Sequence, residues 1–137
     1  MRYDHGPYGY IVDSNASFYA TVVWGTTDGH VDLPAAIRAG AIVGVLLPKE
    51  NATSYVAGDQ CQVQREGVVR FNKATGYTVT KGDLLGINDA NGALAPIGDL
   101  TLVDETNYEV IGTAETACAS ADTFGYMKIS HMSVQGV

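Results

Sequence analysis

Two cysteines, three histidines and four prolines in 137 residues leave little material for several common kinds of chemistry. Cys61 and Cys118 are too few for a disulfide framework. No apolar block of signal-peptide type precedes Asp13-Ser14-Asn15, so the expectation is synthesis in the cytoplasm with both thiols reduced. Long apolar runs are also missing. The longest, Ala41 to Leu47, is interrupted by Gly44 and falls far short of the roughly 20 residues a membrane helix needs. Among the 16 glycines there is no Gly-x-Gly-x-x-Gly or Walker-type loop, and no serine occupies a Gly-x-Ser-x-Gly elbow. His5 and His131 lie near the two ends, away from the rigid elements that support an active site. Nucleophilic catalysis of the Ser-His-Asp kind therefore has no support, and the expectation is a chain without catalytic residues, metal or cofactor.

Basic side chains are scarce in one half of the chain. Residues 1–81 hold seven (Arg2, Arg38, Lys49, Arg65, Arg70, Lys73, Lys81) against seven acids, which balance. Beyond Lys81 only Lys128 faces eight acids (Asp83, Asp89, Asp99, Asp104, Glu105, Glu109, Glu115, Asp122), and 1 − 8 accounts for the whole net charge of −7. No cationic stripe is available to displace counterions from phosphates, so direct nucleic-acid binding is not expected. An acidic outer face that keeps the protein soluble is the simpler reading.

What is present is β-forming sequence. A hydrophobic content of 46% rules out a disordered chain and supports one domain with a real core. From Gln60 to Phe71, Cys61, Val63, Val69 and Phe71 alternate with Gln60, Gln62, Gln64 and Arg70, the period of a half-buried strand. Arg65 and Val68 break that period beside Glu66-Gly67, where a bend or bulge would let the strand change partner. Gly58-Asp59, Gly82-Asp83 and Gly98-Asp99 read as turn devices, and Asn91-Gly92 is the strongest hairpin signal. Ala41 to Leu47 reads as a strand covered on both faces. Tyr108 to Ala114 and Phe124 to Ile129 supply the last strands. Asp32 to Gly40, with a capping Asp32, Pro34 in the first turn and a glycine exit, predicts one short helix. Many short strands with one brief helix indicate an all-β barrel or sandwich.

Residues 1–24 hold Tyr3, Tyr8, Tyr10, Phe18, Tyr19 and Trp24, six of the twelve aromatics, with no sustained period. Two readings stand: rings that cover the body of the domain, or an extended arm that docks on a partner. The organisation expected is an aromatic arm with the first strand over 1–24, a β-barrel domain over 25–130, and a loose tail over 131–137. Asp28, His30 and Asp32 sit at alternate positions, as ligands on one strand face would, but a turn followed by a helix cap needs no metal. Asn88 to Gly92 echoes the start of a calcium loop without its closing acid, and a hairpin accounts for it.

The central order of pieces carries a resemblance. A Gly-Asp turn, a strand ending in Glu66-Gly67-Val68, Lys73-Ala74-Thr75-Gly76, Lys81-Gly82-Asp83-Leu84-Leu85-Gly86, Asn91-Gly92-Ala93-Leu94, Ile111-Gly112-Thr113-Ala114 and Tyr126-Met127-Lys128-Ile129 follow one another. This order resembles the small capsid decoration, or cement, proteins of tailed bacteriophages, over roughly the second half of the chain. The resemblance implies a β-barrel of β-tulip or β-clip type, related to the lambdoid head decoration protein and sitting on the outside of the virion head. It implies that the protein clamps the major capsid protein as a homo-oligomer, commonly a trimer and in some relatives a dimer. It brings no catalytic residues, no nucleic acid and no membrane. Partner contacts are then expected from Tyr3, Tyr8, Tyr10, Phe18, Tyr19 and Trp24, with Arg65 and Arg70 pairing across subunits to the acidic half. The rival classes are a carbohydrate- or ligand-binding β module, which needs rings on one rigid cleft face, and a nucleotide hydrolase of dUTPase type, for which no acid and arginine motif set is found.

Overall fold

The dry and wet alternation between Gln60 and Phe71 becomes two strands that belong to different sheets. In a computed structural model, which describes residues 8–34, 41–99 and 107–135, Gly67 at φ +82° turns the chain between them. The strands are β1 (Tyr8–Val12), β2 (Ala16–Ser17), β3 (Thr21–Trp24), β4 (His30–Asp32), β5 (Ile42–Leu46), β6 (Ser54–Tyr55), β7 (Gln60–Gln64) and β8 (Val68–Asn72). They continue with β9 (Leu84–Ile87), β10 (Leu94–Pro96), β11 (Asn107–Ala114) and β12 (Phe124–Gln135). A closed barrel runs β1-β4-β3-β5-β7, and a five-stranded sheet runs β10-β9-β11-β12-β8. A short ribbon pairs β2 with β6. The all-β expectation holds, with barrel and sheet side by side.

β5 explains how the two are joined. All five of its residues are buried, because Val43 and Leu46 face the barrel interior with Val12, Val22, Val31 and Val63, while Ile42 and Val45 join the sheet core. That second core holds Phe71, Leu85, Leu94, Ile111 and Met127, each fully buried and each worth roughly 2–3 kcal/mol of apolar burial. A strand with two apolar faces is what an apolar Ala41–Leu47 run predicts, and the wall it forms makes the two cores one body. Gly44 permits the closeness: a Cβ there would lie 2.1 Å from the Gln64 carbonyl oxygen.

The turns follow their residues. Asp59 and Asp83 accept the amides of Val56 and Thr80 through their carboxylates, so those two Gly-Asp pairs work as local caps. Asn91-Gly92 closes the β9–β10 hairpin, with Gly92 at φ +78° and the Asp89 carboxylate accepting the Asn91 amide at 2.9 Å.

Two expectations change, and a third is not reached. The arm expected over 1–24 is not separate over residues 8–24: β1 lies between β4 and β7, and β3 between β4 and β5, so a boundary at residue 24 would cut the barrel. The aromatic positions misled because Tyr10 and Phe18 pack inward at irregular spacing against the barrel core. Residues 1–7 lie outside the described part. The tail expected from 131 is β strand as far as Gln135, because β12 continues along β11 with Asn107 opposite Gln135. The helix over 32–40 falls mostly on 35–40, outside the described residues. Asp32 itself closes β4, and its carboxylate accepts the Leu33 amide and the Ser14 hydroxyl.

Candidate interaction surface

Two arginines organise the outward aromatics. On the barrel, β1 brings Tyr10 beside Trp24, which ends β3, with ring centroids 5.7 Å apart and planes at 72°. Arg65, just past β7, lays its guanidinium 5.4 Å from the Trp24 ring and donates from Nη1 to the Tyr10 hydroxyl at 3.4 Å. Trp24 is 45% exposed despite this bracing. An edge-on ring and a cation over the indole face fix its orientation.

On the sheet, β12 alternates strictly over its first half. Gly125, Met127 and Ile129 are buried, while Phe124, Tyr126 and Lys128 point out. β8 is the outer strand beside it, with Arg70 directly opposite Tyr126. The Arg70 guanidinium stands 3.8 Å from the Phe124 ring centroid and 4.8 Å from that of Tyr19. Phe124 is 41% exposed, Tyr126 44% and Val68 54%. Tyr19 is carried by a turn at φ +67°, which Asn72 fastens to β8 by donating its side-chain amide to the Phe18 carbonyl at 2.9 Å. Arg70 Nε is buried, and among the described residues it has no hydrogen-bond partner.

The residues expected at a partner surface therefore separate. Trp24, Arg65 and Arg70 lie on outward clusters, and Tyr10 and Tyr19 form the half-buried floors of those clusters. Phe18 instead packs edge-on against the buried Tyr55 ring at 5.4 Å and belongs to the barrel interior. Tyr3 lies outside the described residues, and for Tyr8 only its backbone place in β1 is described. Phe124, Tyr126 and Val68 were missed. The alternation from Phe124 to Ile129 was the available signal, since two rings on the wet parity of a strand are exposed by construction.

Other candidate sites take structural roles. His30 Nδ1 lies 2.6 Å from Asp13 Oδ1 rather than joining Asp28 and Asp32, and among the described residues no three metal-ligating side chains come together. An open cleft of about 600 Å³ lies beside Tyr10, Lys49, Glu50, Gln60 and Gln62. Its second tyrosine, Tyr55, is 1% exposed, donates its hydroxyl to the Leu47 carbonyl and has the Lys49 ammonium over its ring, so it offers no stacking platform for a sugar. Burial pushes the nearby Cys61 thiol up to about 11, which leaves it unreactive, and both cysteines are free and buried. Lys73 is buried with its Nζ donating to the carbonyls of Ala74, Tyr77 and Ser120 at 2.7, 2.6 and 3.2 Å.

Comparison with known proteins agrees with this architecture. A family model described as phage cement protein matches residues 19–129. No curated protein matches the chain. Among solved structures, the N base of the head fiber gp8.5 of bacteriophage phi29 superposes with a TM-score of 0.52 at 17% identity. That likeness covers 90% of this chain and 92% of the fiber chain, and at such identity it shows a shared fold.

Proposed function

This chain belongs to the phage cement protein family, and from that premise we propose that it binds the outer surface of a tailed-phage head and holds neighbouring major capsid protein subunits together. We take the working form to be a homo-oligomer, a trimer by preference. The observation that carries the reading, beside the family match, is that the outward rings are braced rather than loose. Trp24 is held by Tyr10 and Arg65, so an anchor of large area meets a partner with little ordering left to lose. We assign this barrel cluster to the shell.

The test uses shells of the source phage assembled without the protein. Purified protein should bind at a fixed number of copies per shell and raise the temperature at which shells come apart. Trp24→Ser should weaken binding about thirtyfold, the size of a central interface anchor. Shells that neither bind the protein nor gain heat resistance would refute the reading.

A further inference from the structure

We propose that the outward face of β11, β12 and β8 gathers further copies of this chain around an axis running along β12, the Arg70 guanidinium of each copy taking the Glu115 carboxylate of the next. This deepens the homo-oligomer part of the reading above and rests on it.

Three residues on neighbouring strands form a row. The Glu115 amide donates to the Tyr126 carbonyl at 2.8 Å, extending the β11–β12 ladder by one rung beyond Ala114 opposite Met127. Tyr126 in turn stands opposite Arg70. Glu115 and Tyr126 are exposed, Arg70 is half-buried, and the intervening Ala114 and Met127 are buried. An anion, a ring and a cation thus lie side by side, with about 10 Å between the two charged strands at the usual spacing of about 4.8 Å. Among the described residues neither Glu115 nor Arg70 has an ion-pair partner in its own chain.

Arg70 is built as a receptor for a carboxylate. Phe124 and Tyr19 hold its guanidinium in place, and its buried Nε lacks an acceptor among the described residues. Nε itself is closed to an incoming group, so the donors that a carboxylate from outside meets are the terminal guanidinium nitrogens, which the two rings hold in a fixed orientation. Arg65 is not equivalent, because it is engaged with Trp24 and Tyr10.

The route of docking is also restricted. Strand addition along the free edge of β8 is obstructed: the Gln64 side-chain amide donates to the Val68 carbonyl at 3.0 Å, and the Asn72 amide is turned to the Tyr19 carbonyl at 3.4 Å. The exposed face remains, with Val68, Phe124 and Tyr126 as its apolar centre.

Charge selects the occupant and its orientation. Beyond Lys81 the chain holds eight acids and one base, so a second copy supplies the carboxylates that an arginine face needs. Because Arg70 and Glu115 flank Tyr126, rotation about an axis parallel to β12 sets each arginine against the next copy's glutamate, in a pair or in a ring of three. A copy turned end over end would set Arg70 against Arg70. Phe124 and Tyr126 then meet their counterparts near the axis, where burial is greatest.

Sedimentation of the full chain without shells, over a range of concentration and salt, tests this. Wild type should self-associate. Arg70→Glu and Glu115→Arg should each weaken association about tenfold or more. The double variant R70E/E115R, which inverts every pair, should recover to within about threefold of wild type. Far-UV circular dichroism and melting confirm that each variant is folded. Phe124→Ser with Tyr126→Ser should also dissociate the oligomer while leaving the melt cooperative. A wild type that stays monomeric, folded single variants that associate as wild type does, or a folded double variant that does not recover would each overturn the proposal. Variants that keep wild-type mass but lose shell binding would also overturn it, by giving this face to the shell. Loss of shell binding by wild type, with the charge-swap rescue intact, would remove the decoration reading and leave this contact standing.

Discussion

The barrel cluster and the sheet cluster are assembled from the same parts, an arginine laid on aromatic rings, yet they differ in what the arginine has left to offer. Arg65 lies over Trp24 and reaches the Tyr10 hydroxyl, so it serves the ring it covers. Arg70 is held by Phe124 and Tyr19, and its buried Nε has no acceptor among the described residues. A cation over a ring is therefore not one motif. In one place the ring is the presented group and the cation its brace; in the other the rings are the brace and the cation is presented.

Opening the barrel should remove both clusters at once. Deleting residues 8–12 removes β1, the strand that closes the barrel between β4 and β7 and carries Tyr10. The expected result is loss of cooperative thermal unfolding and of the near-UV aromatic signal, with both clusters lost together. Retention of a sharp melt would show that the sheet core stands alone. Next in size is Gly44→Ala. Its Cβ would meet the Gln64 carbonyl oxygen at 2.1 Å, a backbone atom that cannot turn aside. Urea unfolding should show a loss of roughly 3 kcal/mol, the upper range for overpacking.

A paired substitution separates the two arginines. In dilute protein, Arg65→Met should lower stability by about 0.5–1 kcal/mol, the value of a cation over an exposed ring. Arg70→Met should change it by less than about 0.5 kcal/mol, because the lost ring contact is offset by removal of a buried donor that lacks an acceptor. Equal losses in urea titrations would erase the distinction. The smallest effect concerns Lys49, whose hydrogen bond, followed by the Val56 amide, holds the Asp59 carboxyl below its ordinary value. A carboxyl with a lowered folded value stabilises the protein above the ordinary range and loses that contribution as pH falls through the folded value. The small melting difference between wild type and Lys49→Met should therefore be present at neutral pH and close below about pH 4. A difference that widened in acid would contradict it.

Much of the fold was legible because strand polarity and turn chemistry are written locally. The fully apolar β5, the alternation through Gln60–Phe71 and the Asn91-Gly92 hairpin all state their structure locally. The role of residues 8–24 was not legible, because β1 joins β4 in parallel and β7 in antiparallel, and no local pattern records pairings so far apart. The same limit hid the site. That Arg70 would stand opposite Tyr126 depends on β8–β12 register, while the polarity of each strand could be read directly. Arg65 and Arg70 were both expected to pair across subunits; only the structure shows that one is already engaged at home.

Buried Lys73 has a consequence of another kind. Three backbone carbonyls, from Ala74, Tyr77 and Ser120, converge on its ammonium. A convergence of that sort is what a polypeptide offers to a bound monovalent ion. Here the cation is tethered to the chain itself, so the carbonyls of the two loops it joins, 74–77 and 118–122, are satisfied by a covalently held ammonium in place of a dissociable ion.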